Sequence, residues 1–349
     1  VLDQRDKFIA GASNAILARI DPGKGGEKLQ AGNEYAGMGL KALIRVALRN
    51  AGVSGADRLV DDRPTALLGE PSFTLPRERS TAPDREGAAR EAMSAEARAP
   101  FDLAVSPPLR ARLLSLGEAD HLLLLTLHHI AADAWTVGVL HRELGALYAA
   151  FRQGQASPLP ELPLQYADYA RWQRARLGGP LGEAQLAYWR EQLAGAPATL
   201  DLPADRPRPA AQSHRGVQRR VSLPASVRDA LQALSRREGV TLFMALLSAF
   251  DVLLHRYTGQ SDLLVGSPIA GRTHAETEGL IGFFVNTLVL RAQIDGARPF
   301  RELLRQVKER AIEAYAHQDM PFERLVQELA PERDLARAPL FQVLFTLQN

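Results

Sequence analysis

An eight-residue segment that is apolar on both faces, 121–128, constrains the fold of this chain more than any other feature. A strand with one wet face alternates apolar and polar residues, whereas a strand buried from both sides is continuously apolar. Beyond Asp133, apolar residues recur at helical spacing: Val137, Leu140, Leu144, Leu147, Tyr148 and Phe151. The sequence therefore predicts a central strand, a loop and an amphipathic helix that begins within 133–136.

Helical and strand patterns alternate along the chain, which predicts an α/β fold without internal repeats. Helices are predicted at 84–98, 133–151, 182–193, 225–238, 241–257, 299–316 and 321–329. Strands are predicted at 109–116, 121–128, 262–269, 286–292 and 341–347. Residues 1–85 show little sustained periodicity, apart from a helix predicted near 40–49.

The length of the chain predicts two lobes, because 349 residues exceed the usual size of a single compact core. The segment Gly178-Gly179-Pro180 has the composition of a hinge. The predicted division is an N-terminal lobe at 1–178, of which 1–85 are atypical, and a C-terminal lobe at 179–349.

Charge and hydropathy exclude several partners. The net charge of +2 arises from 42 basic and 40 acidic residues that are mixed along the chain, so no nucleic-acid-binding face is predicted. No apolar stretch approaches the roughly 20 residues of a membrane span, and the start lacks the sections of a secretory signal. A cytoplasmic location without membrane contact is therefore expected.

The chain contains no cysteine, which excludes disulfides, thiolate metal sites and any mechanism that holds an acyl group on a protein sulfur. It also lacks the Gly-x-Ser-x-Gly, Walker and Gly-x-Gly-x-x-Gly motifs, so serine hydrolase, P-loop and dinucleotide-binding functions have no support. The chemistry must come from other residues.

Two histidines end the apolar segment, and an aspartate follows four residues after the second. An imidazole that titrates near neutrality can take a proton from an amine or hydroxyl that attacks a carbonyl, and His129 is the candidate. Adjacent residues that leave a strand point to opposite sides, so His128 is expected to pack behind it. Asp133 can either orient a ring or anchor the loop through an arginine.

Other interpretations of this pattern stay open. Two histidines can simply end an apolar strand. A metal could also use His128, His129 and Asp133, but an adjacent pair rarely converges on one ion and no Glu-x-x-His partner accompanies it. No metal site is predicted.

Four later segments accompany the His-His-x-x-x-Asp pattern in order. They are Tyr166-Ala167-Asp168-Tyr169-Ala170-Arg171-Trp172, Gly282-Phe283-Phe284-Val285-Asn286-Thr287, His317-Gln318-Asp319-Met320-Pro321-Phe322-Glu323, and Arg333-Asp334 through Pro339-Leu340. Together these motifs resemble those of the condensation domains of non-ribosomal peptide synthetases, from about residue 85 to the end.

The resemblance implies two lobes similar to chloramphenicol acetyltransferase, with the histidine motif in a tunnel between them. It implies amide bond formation between a donor and an acceptor acyl group, each a thioester on the 4'-phosphopantetheine arm of a peptidyl carrier protein. The partners would be an upstream and a downstream carrier protein and an adjacent adenylation domain, and the domain itself would bind no cofactor. The amine would attack the donor carbonyl directly.

The resemblance also assigns roles to residues. It implies catalytic roles at His129, His128 and Asp133. Supporting positions at the site would be Arg272, Ala134, Trp135, Asn286, Thr287 and Arg291. Arg272, or less favourably Arg291, is expected to pair with Asp133, because a buried carboxylate needs such a partner.

The later motifs also have structural interpretations. Tyr166, Tyr169 and Trp172 lie at helical spacing and are expected to be core residues. Asn286 and Thr287 could form a polar pair in a turn or strand, or face the site. Pro321 is expected to start a helix that Asp319 caps.

Three departures from the family pattern affect the expected activity. Ala134 replaces a glycine, which is favoured there either by a positive φ or by the close approach of another chain. The two opening motifs are not recognisable in 1–85, and residues 1 to about 80 are therefore expected to pack poorly or unlike the family's first lobe. The second lobe is expected to be incomplete after Asn349. The alternatives are a catalytically silent relative that docks carrier proteins and another His-x-x-x-Asp acyltransferase.

Overall fold

The computed structural model describes residues 13–20, 57–60, 63–66, 75–103, 107–210, 216–329 and 336–348. The helix predicted near 40–49 lies outside the described residues. So does most of the segment 1–80 that was expected to pack poorly.

The described strands and helices alternate as predicted. The strands are β1 (Ser13–Ile20), β2 (Asp57–Val60), β3 (Arg63–Ala66), β4 (Arg77–Arg79), β5 (Leu109–Ser115), β6 (His121–His128), β7 (Asp262–Ile269) and β8 (Asn286–Gln293). The α-helices are α1 (Arg85–Arg98), α2 (Ala134–Arg152), α3 (Tyr166–Leu177), α4 (Pro180–Leu193), α5 (Ala225–Glu238), α6 (Leu242–Thr258), α7 (Phe300–Ala316) and α8 (Phe322–Leu329). The α/β class is confirmed.

The chain divides into two compact units, residues 1–171 with 272–284 and residues 172–271 with 285–349. The lobe boundary at 178/179 stays a prediction. The first unit contains a four-stranded sheet in the order β1-β6-β5-β4. β6 pairs antiparallel with both β1 and β5, and β4 runs parallel to β5.

β6 has a hydrophobic layer on each face, as its sequence predicts. Leu123, Leu125 and Leu127 belong to a core cluster that includes Val139, Leu140 and Leu147 of α2. Leu122 and Leu124 belong to a second cluster with Ala89 of α1. Because both faces are covered and both edges are paired, β6 gives the residues that follow it a rigid start.

β1 is a strand that the sequence analysis did not find. Its eight residues pair with all of β6, from Ser13 opposite His128 to Ile20 opposite His121. The local periodicity of 1–85 is weak, and strand formation here is decided by a neighbour more than 100 residues away.

The second unit has its own core, formed by the pair β7–β8 and the helices from α4 onward. Buried Trp189 of α4 donates from its indole nitrogen to the carbonyl of His317, at 3.0 Å. α6 ends at Gly259, just after the helix predicted at 241–257, and the φ of 71° at this residue gives the left-handed turn that glycine favours at a helix C-terminus. The hydrogen bond from Trp189 to His317 holds the end of α7 against α4.

The prediction of a strand over 341–347 is wrong in its length. Only one bridge forms there, between Gly266 of β7 and Leu344, with Gly266 N–H donating to Val343 O and Phe345 N–H donating to Gly266 O. Leu340 precedes it with a φ of 65°, which breaks the extended backbone. An apolar alternation becomes a strand only where a partner continues the ladder.

Within the described ranges, no helix by itself has the length and apolar character needed to cross a membrane. Among the described helices, α5 and α6 pass that test when they are taken together, and they are bent by 108° with respect to each other.

Candidate active site

The two histidines lie where β6 passes into a short 3₁₀ turn, His129–Ala131. Nδ1 of His128 accepts a hydrogen bond from the backbone N–H of Ile130, at 3.1 Å, and so caps this turn. The His128 ring packs edge-on against Phe101, with the ring centroids 5.6 Å apart. His128 therefore supports the loop, as expected for the histidine that packs behind the site.

The His129 ring packs against a different aromatic side chain. Its centroid lies 5.3 Å from that of Phe283, and the two planes meet at 78°. Nδ1 of His129 is buried and has no hydrogen-bond partner among the described residues. Within the part of the chain that the structure describes, no partner at Nδ1 fixes the tautomer or the orientation of this imidazole, so its orientation depends on packing.

Asp133 caps α2 and is almost completely buried, with 3% of its surface exposed. Its Oδ1 accepts from the N–H of Thr136 at 2.8 Å, and its Oδ2 accepts from the N–H of Phe284 at 3.0 Å. Arg272 Nη2 lies 3.4 Å from Oδ1. The carboxylate therefore joins the helix start to two other segments of the chain, and none of these bonds goes to His129.

The expected pairing of Asp133 with Arg272 is confirmed. Besides Asp133, the Arg272 guanidinium donates to the carbonyls of Thr277 and Leu280 and to the hydroxyl of Thr136. It also lies 3.9 Å from the centre of the Phe284 ring, a cation–π contact. Burial lowers the pKa of Arg272 from its usual value, and the charge of Asp133 opposes this shift.

Three polar side chains bind the segment Gly282-Phe283-Phe284: Asp133 and Thr136 at the start of α2, and Tyr166 at the start of α3. Thr136 Oγ1 donates to Gly282 O at 2.8 Å and accepts from Gly282 N–H at 3.1 Å. Tyr166 Oη donates to Phe283 O at 2.7 Å, and Asp133 accepts from Phe284. Sequence reasoning missed Thr136 altogether, although a threonine in the first turn of an apolar helix is a residue that commonly bonds to backbone.

Tyr166 and Tyr169 are half-buried, whereas Trp172 is 41% exposed, so the expectation that all three are core residues is wrong for Trp172. The structure adds the hydrogen bond from the Tyr166 hydroxyl group. Burial, reinforced by the nearby Tyr169 and Asp133, raises the pKa of Tyr166 to about 12. The phenol is therefore protonated at neutral pH and acts as a donor. Tyr166 and Tyr169 also pack on Phe284, with centroid distances of 5.1 and 4.7 Å.

Ala134 is the first residue of α2 and is exposed. Leu340 is the one non-glycine residue with a positive φ in the described parts of the chain, so the explanation of the family's glycine by a positive φ is wrong for Ala134. Close approach of another chain stays a prediction. Trp135 is 45% exposed, and its indole N–H donates to Glu278 O at 2.9 Å.

Asn286 and Thr287 belong to the second unit. The Asn286 amide donates to Gln318 O and Met320 O, both at 2.8 Å, and its Oδ1 accepts from Phe322 N–H at 3.0 Å and from Thr287 N–H at 2.8 Å. These bonds favour the structural interpretation of Asn286, and a role of either residue at the site stays a prediction.

Asn286 also replaces Asp319 as the cap of α8. The first N–H of this helix donates to Asn286, whereas the Asp319 carboxylate lies 3.9 Å from Arg176. The predicted cap is therefore wrong, because a side chain 36 positions away in the sequence reaches the helix start.

Arg291 does not pair with Asp133. It forms a bidentate ion pair with Asp262, at 2.9 and 2.6 Å, and donates to the carbonyls of Gln192 and Ala194. The hydrogen bond to Asp262 raises the pKa of Arg291 above its usual value. Arg291 therefore joins β7 and β8 to the end of α4. In the described ranges no three metal-ligating side chains form a group.

The comparisons with known proteins agree with the motifs. A family model described as the condensation domain matches residues 71–349. One of the linear gramicidin synthase proteins of Brevibacillus parabrevis is 54% identical over 266 residues, which are 76% of this chain and 3% of that protein. Phosphinothricin tripeptide synthetase PhsB of Streptomyces viridochromogenes is 48% identical over 299 residues, 83% of this chain and 25% of that protein. The chain thus spans a small part of these relatives.

Solved structures share the fold. The X-domain in complex with OxyB from teicoplanin biosynthesis superposes with a TM-score of 0.85 at 28% identity, over 96% of this chain and 72% of that one. SgcC5 from Streptomyces globisporus superposes with a TM-score of 0.70, also at 28% identity, over 96% of this chain and 74% of that one.

Proposed function

The chain belongs to the condensation-domain family, and from this membership we propose that it forms the amide bond between a donor acyl thioester and an acceptor aminoacyl thioester in non-ribosomal peptide synthesis. The observation that carries the proposal is the placement of His129. It follows a strand that is buried on both faces, in a loop that Asp133 and Arg272 fix from the other side.

The proposed reaction uses His129 as a general base. The acceptor amine attacks the donor carbonyl carbon while the imidazole takes a proton from the nitrogen, which prevents the amine from being expelled again. The tetrahedral intermediate collapses with cleavage of the carbon–sulfur bond, and the thiol of the donor arm leaves with a proton. The absence of cysteine agrees with direct transfer between two bound substrates, without an acyl group on the protein.

The proposed partners are the two carrier proteins that deliver these thioesters on 4'-phosphopantetheine, and a neighbouring adenylation domain that selects the acceptor. The domain itself is proposed to bind no further cofactor, and a cytoplasmic location is part of the same proposal. Support comes from relatives named as a linear gramicidin synthase and a tripeptide synthetase, of which this chain matches a small part. Asp133, Arg272 and His128 are proposed to hold the loop and not to touch the reacting atoms.

The experiment is a condensation assay with loaded donor and acceptor carriers, with the product followed by mass spectrometry. His129→Ala is expected to lower the rate by about two to four powers of ten, as for a positioned base. The matched control is His141→Ala, which removes an exposed histidine of α2 from the same unit. Equal and small effects of the two changes, with unchanged circular dichroism, would rule out His129 as the base.

The same assay separates the alternatives. A wild-type chain that binds loaded carriers but gives no amide product would be the catalytically silent docking relative. Ala134, which replaces the family's glycine, is the reason to test this alternative. Turnover with a small free thioester, but not with carrier-bound donors, would indicate a different acyltransferase.

A further inference from the structure

We infer that Tyr166 is a positioning residue for His129 and that it acts through the main chain and ring of Phe283. The inference rests on the proposed function only in taking His129 as the base. Its structural part concerns what holds the His129 imidazole in place.

Among the described residues, no hydrogen bond orients the His129 ring. Its Nδ1 is buried and has no partner among the described residues. Asp133, the nearest carboxylate in sequence, uses both oxygens for Thr136, Phe284 and Arg272. An imidazole without an orienting bond is held by the surfaces that it packs against, and its ring contact is with Phe283 at 5.3 Å.

Tyr166 holds the backbone that carries this ring. Its hydroxyl donates to Phe283 O at 2.7 Å, across 117 positions of sequence. Its ring lies directly on the preceding residue, because a Cβ placed on Gly282 would come 2.2 Å from Cδ2 of Tyr166. Glycine at 282 is therefore required for Tyr166 to approach closely enough to bond with Phe283.

Phe284 is held by contacts other than the hydrogen bond from Tyr166 to Phe283. The Phe284 ring packs between the Arg272 guanidinium at 3.9 Å and the Tyr166 and Tyr169 rings, and its N–H donates to Asp133. Removing the Tyr166 hydroxyl therefore leaves the core contacts of the segment in place. It releases one group, the Phe283 carbonyl, and with it the position of the ring that faces His129.

A purely structural role and a positioning role differ in what they predict. A lost core hydrogen bond lowers the free energy of unfolding and leaves the His129 environment unchanged. A lost positioning bond moves the imidazole relative to the amine, which lowers kcat more than it weakens binding. Tyr166→Phe keeps the ring and its packing, so it separates the two.

The first measurement needs no activity. The imidazole signals of His129 are followed by NMR across pH 5–9 in wild type, Tyr166→Phe and the control Tyr148→Phe, with His129→Ala for assignment. Tyr148 is a half-buried tyrosine of the same unit that packs on the core cluster of α2. We expect Tyr166→Phe to shift the His129 signals, since the ring current of Phe283 acts on them, and Tyr148→Phe to leave them unchanged.

The second measurement is the condensation rate. Tyr166→Phe is expected to lower kcat about tenfold with KM for the acceptor carrier within about twofold of wild type, because one hydrogen bond is lost and the base is displaced. Tyr148→Phe is expected to keep wild-type kcat. If the wild-type chain is inactive, the NMR result still decides the inference, so its failure is distinct from failure of the proposed function.

Phe283→Leu is the second variant, and it also serves if Tyr166→Phe does not fold. It removes the ring that faces His129 and should move the same signals, and in combination with Tyr166→Phe the two shifts should not add. Unchanged His129 signals in Tyr166→Phe, equal shifts in the Tyr148 control, or additive shifts in the double variant would each overturn the inference.

Discussion

Two aspartates are buried to nearly the same extent, one in each unit, but their surroundings differ. Asp133 is 3% exposed and is bonded to two backbone N–H groups and to Arg272. Asp251, in the middle of α6, is 2% exposed, and burial alone raises its pKa to about 7, with no cation of the described residues opposing the shift. Equal burial therefore has different consequences, which depend on the partners.

The comparison indicates where the chain can gain or lose stability. A buried carboxylate with donors and an arginine is costly to disturb, because removing one partner leaves the other charge unpaired. A buried carboxyl group that titrates near neutrality destabilises the fold whenever it must ionise. The first arrangement lies beside the proposed base, and the second lies in a helix to which we assign no chemical role.

The largest expected effect tests the paired aspartate. Arg272→Met should destabilise the fold by about 3–5 kcal/mol, because it removes the charge and its bonds and leaves Asp133 buried alone. The measurement is urea unfolding at pH 7. Arg301→Met is the matched control, since Arg301 pairs with Glu238 at the surface, with 64% of its side chain exposed, and should cost no more than about 1 kcal/mol.

Comparable losses of unfolding free energy in Arg272→Met and Arg301→Met would show that burial of the partner carboxylate does not determine the cost. A double variant, Asp133→Asn with Arg272→Met, should recover part of the loss, because no unpaired charge is then buried.

Replacement of Asp251 is expected to change stability less than replacement of Arg272, and to raise it. Its folded-state pKa of about 7 lies above the unfolded value of 3.8, so the folded state holds more protons between these values and stability falls as pH rises through this window. Asp251→Asn removes the charge and should stabilise the fold by about 2–4 kcal/mol at pH 8 and by little at pH 4. Unfolding measured at both pH values checks this.

A gain that is the same at pH 4 and pH 8 would show that Asp251 does not titrate in this window. Glu302→Gln, a change at a half-exposed glutamate of the same unit, is the control for general effects of charge, and it should alter stability by less than about 1 kcal/mol at either pH.

Elements with a local pattern could be predicted from the sequence. β6 and α2 follow from a doubly apolar run and a helical repeat, and β7 and the Gly259 turn follow from similarly local signals. The pair Asp133–Arg272 needed the family resemblance, because 139 positions separate the two residues.

What could not be predicted depends on partners distant in sequence. β1 has little local signal and is formed by pairing with β6. The cap of α8 is Asn286 and not the adjacent Asp319, and the bond from Tyr166 to Phe283 follows no spacing rule. The chemistry of a side chain limits which hydrogen bonds it can form, and the tertiary structure determines which of them does form.

The smallest expected effect concerns Ala134, which directly follows the paired aspartate. In family members a glycine stands here, and a positive φ does not explain it, because Ala134 is the first residue of α2 with ordinary backbone geometry. The prediction that remains is close approach, in which the exposed Cβ of Ala134 would obstruct a substrate arm beside the proposed base.

Ala134→Gly should therefore raise the condensation rate severalfold while it lowers stability by up to about 1 kcal/mol, since glycine is the poorer helix residue. The rate is measured with loaded carriers and the stability by thermal melts, for wild type and Ala134→Gly. The control for helix propensity is Gly138→Ala, at a position of the same helix where an added Cβ meets no other atom, and it should change stability with the opposite sign. A rate that stays at the wild-type level would mean that the Cβ at 134 meets no substrate. The histidine loop would then tolerate alanine because Asp133 and Arg272 already fix the backbone on either side of it.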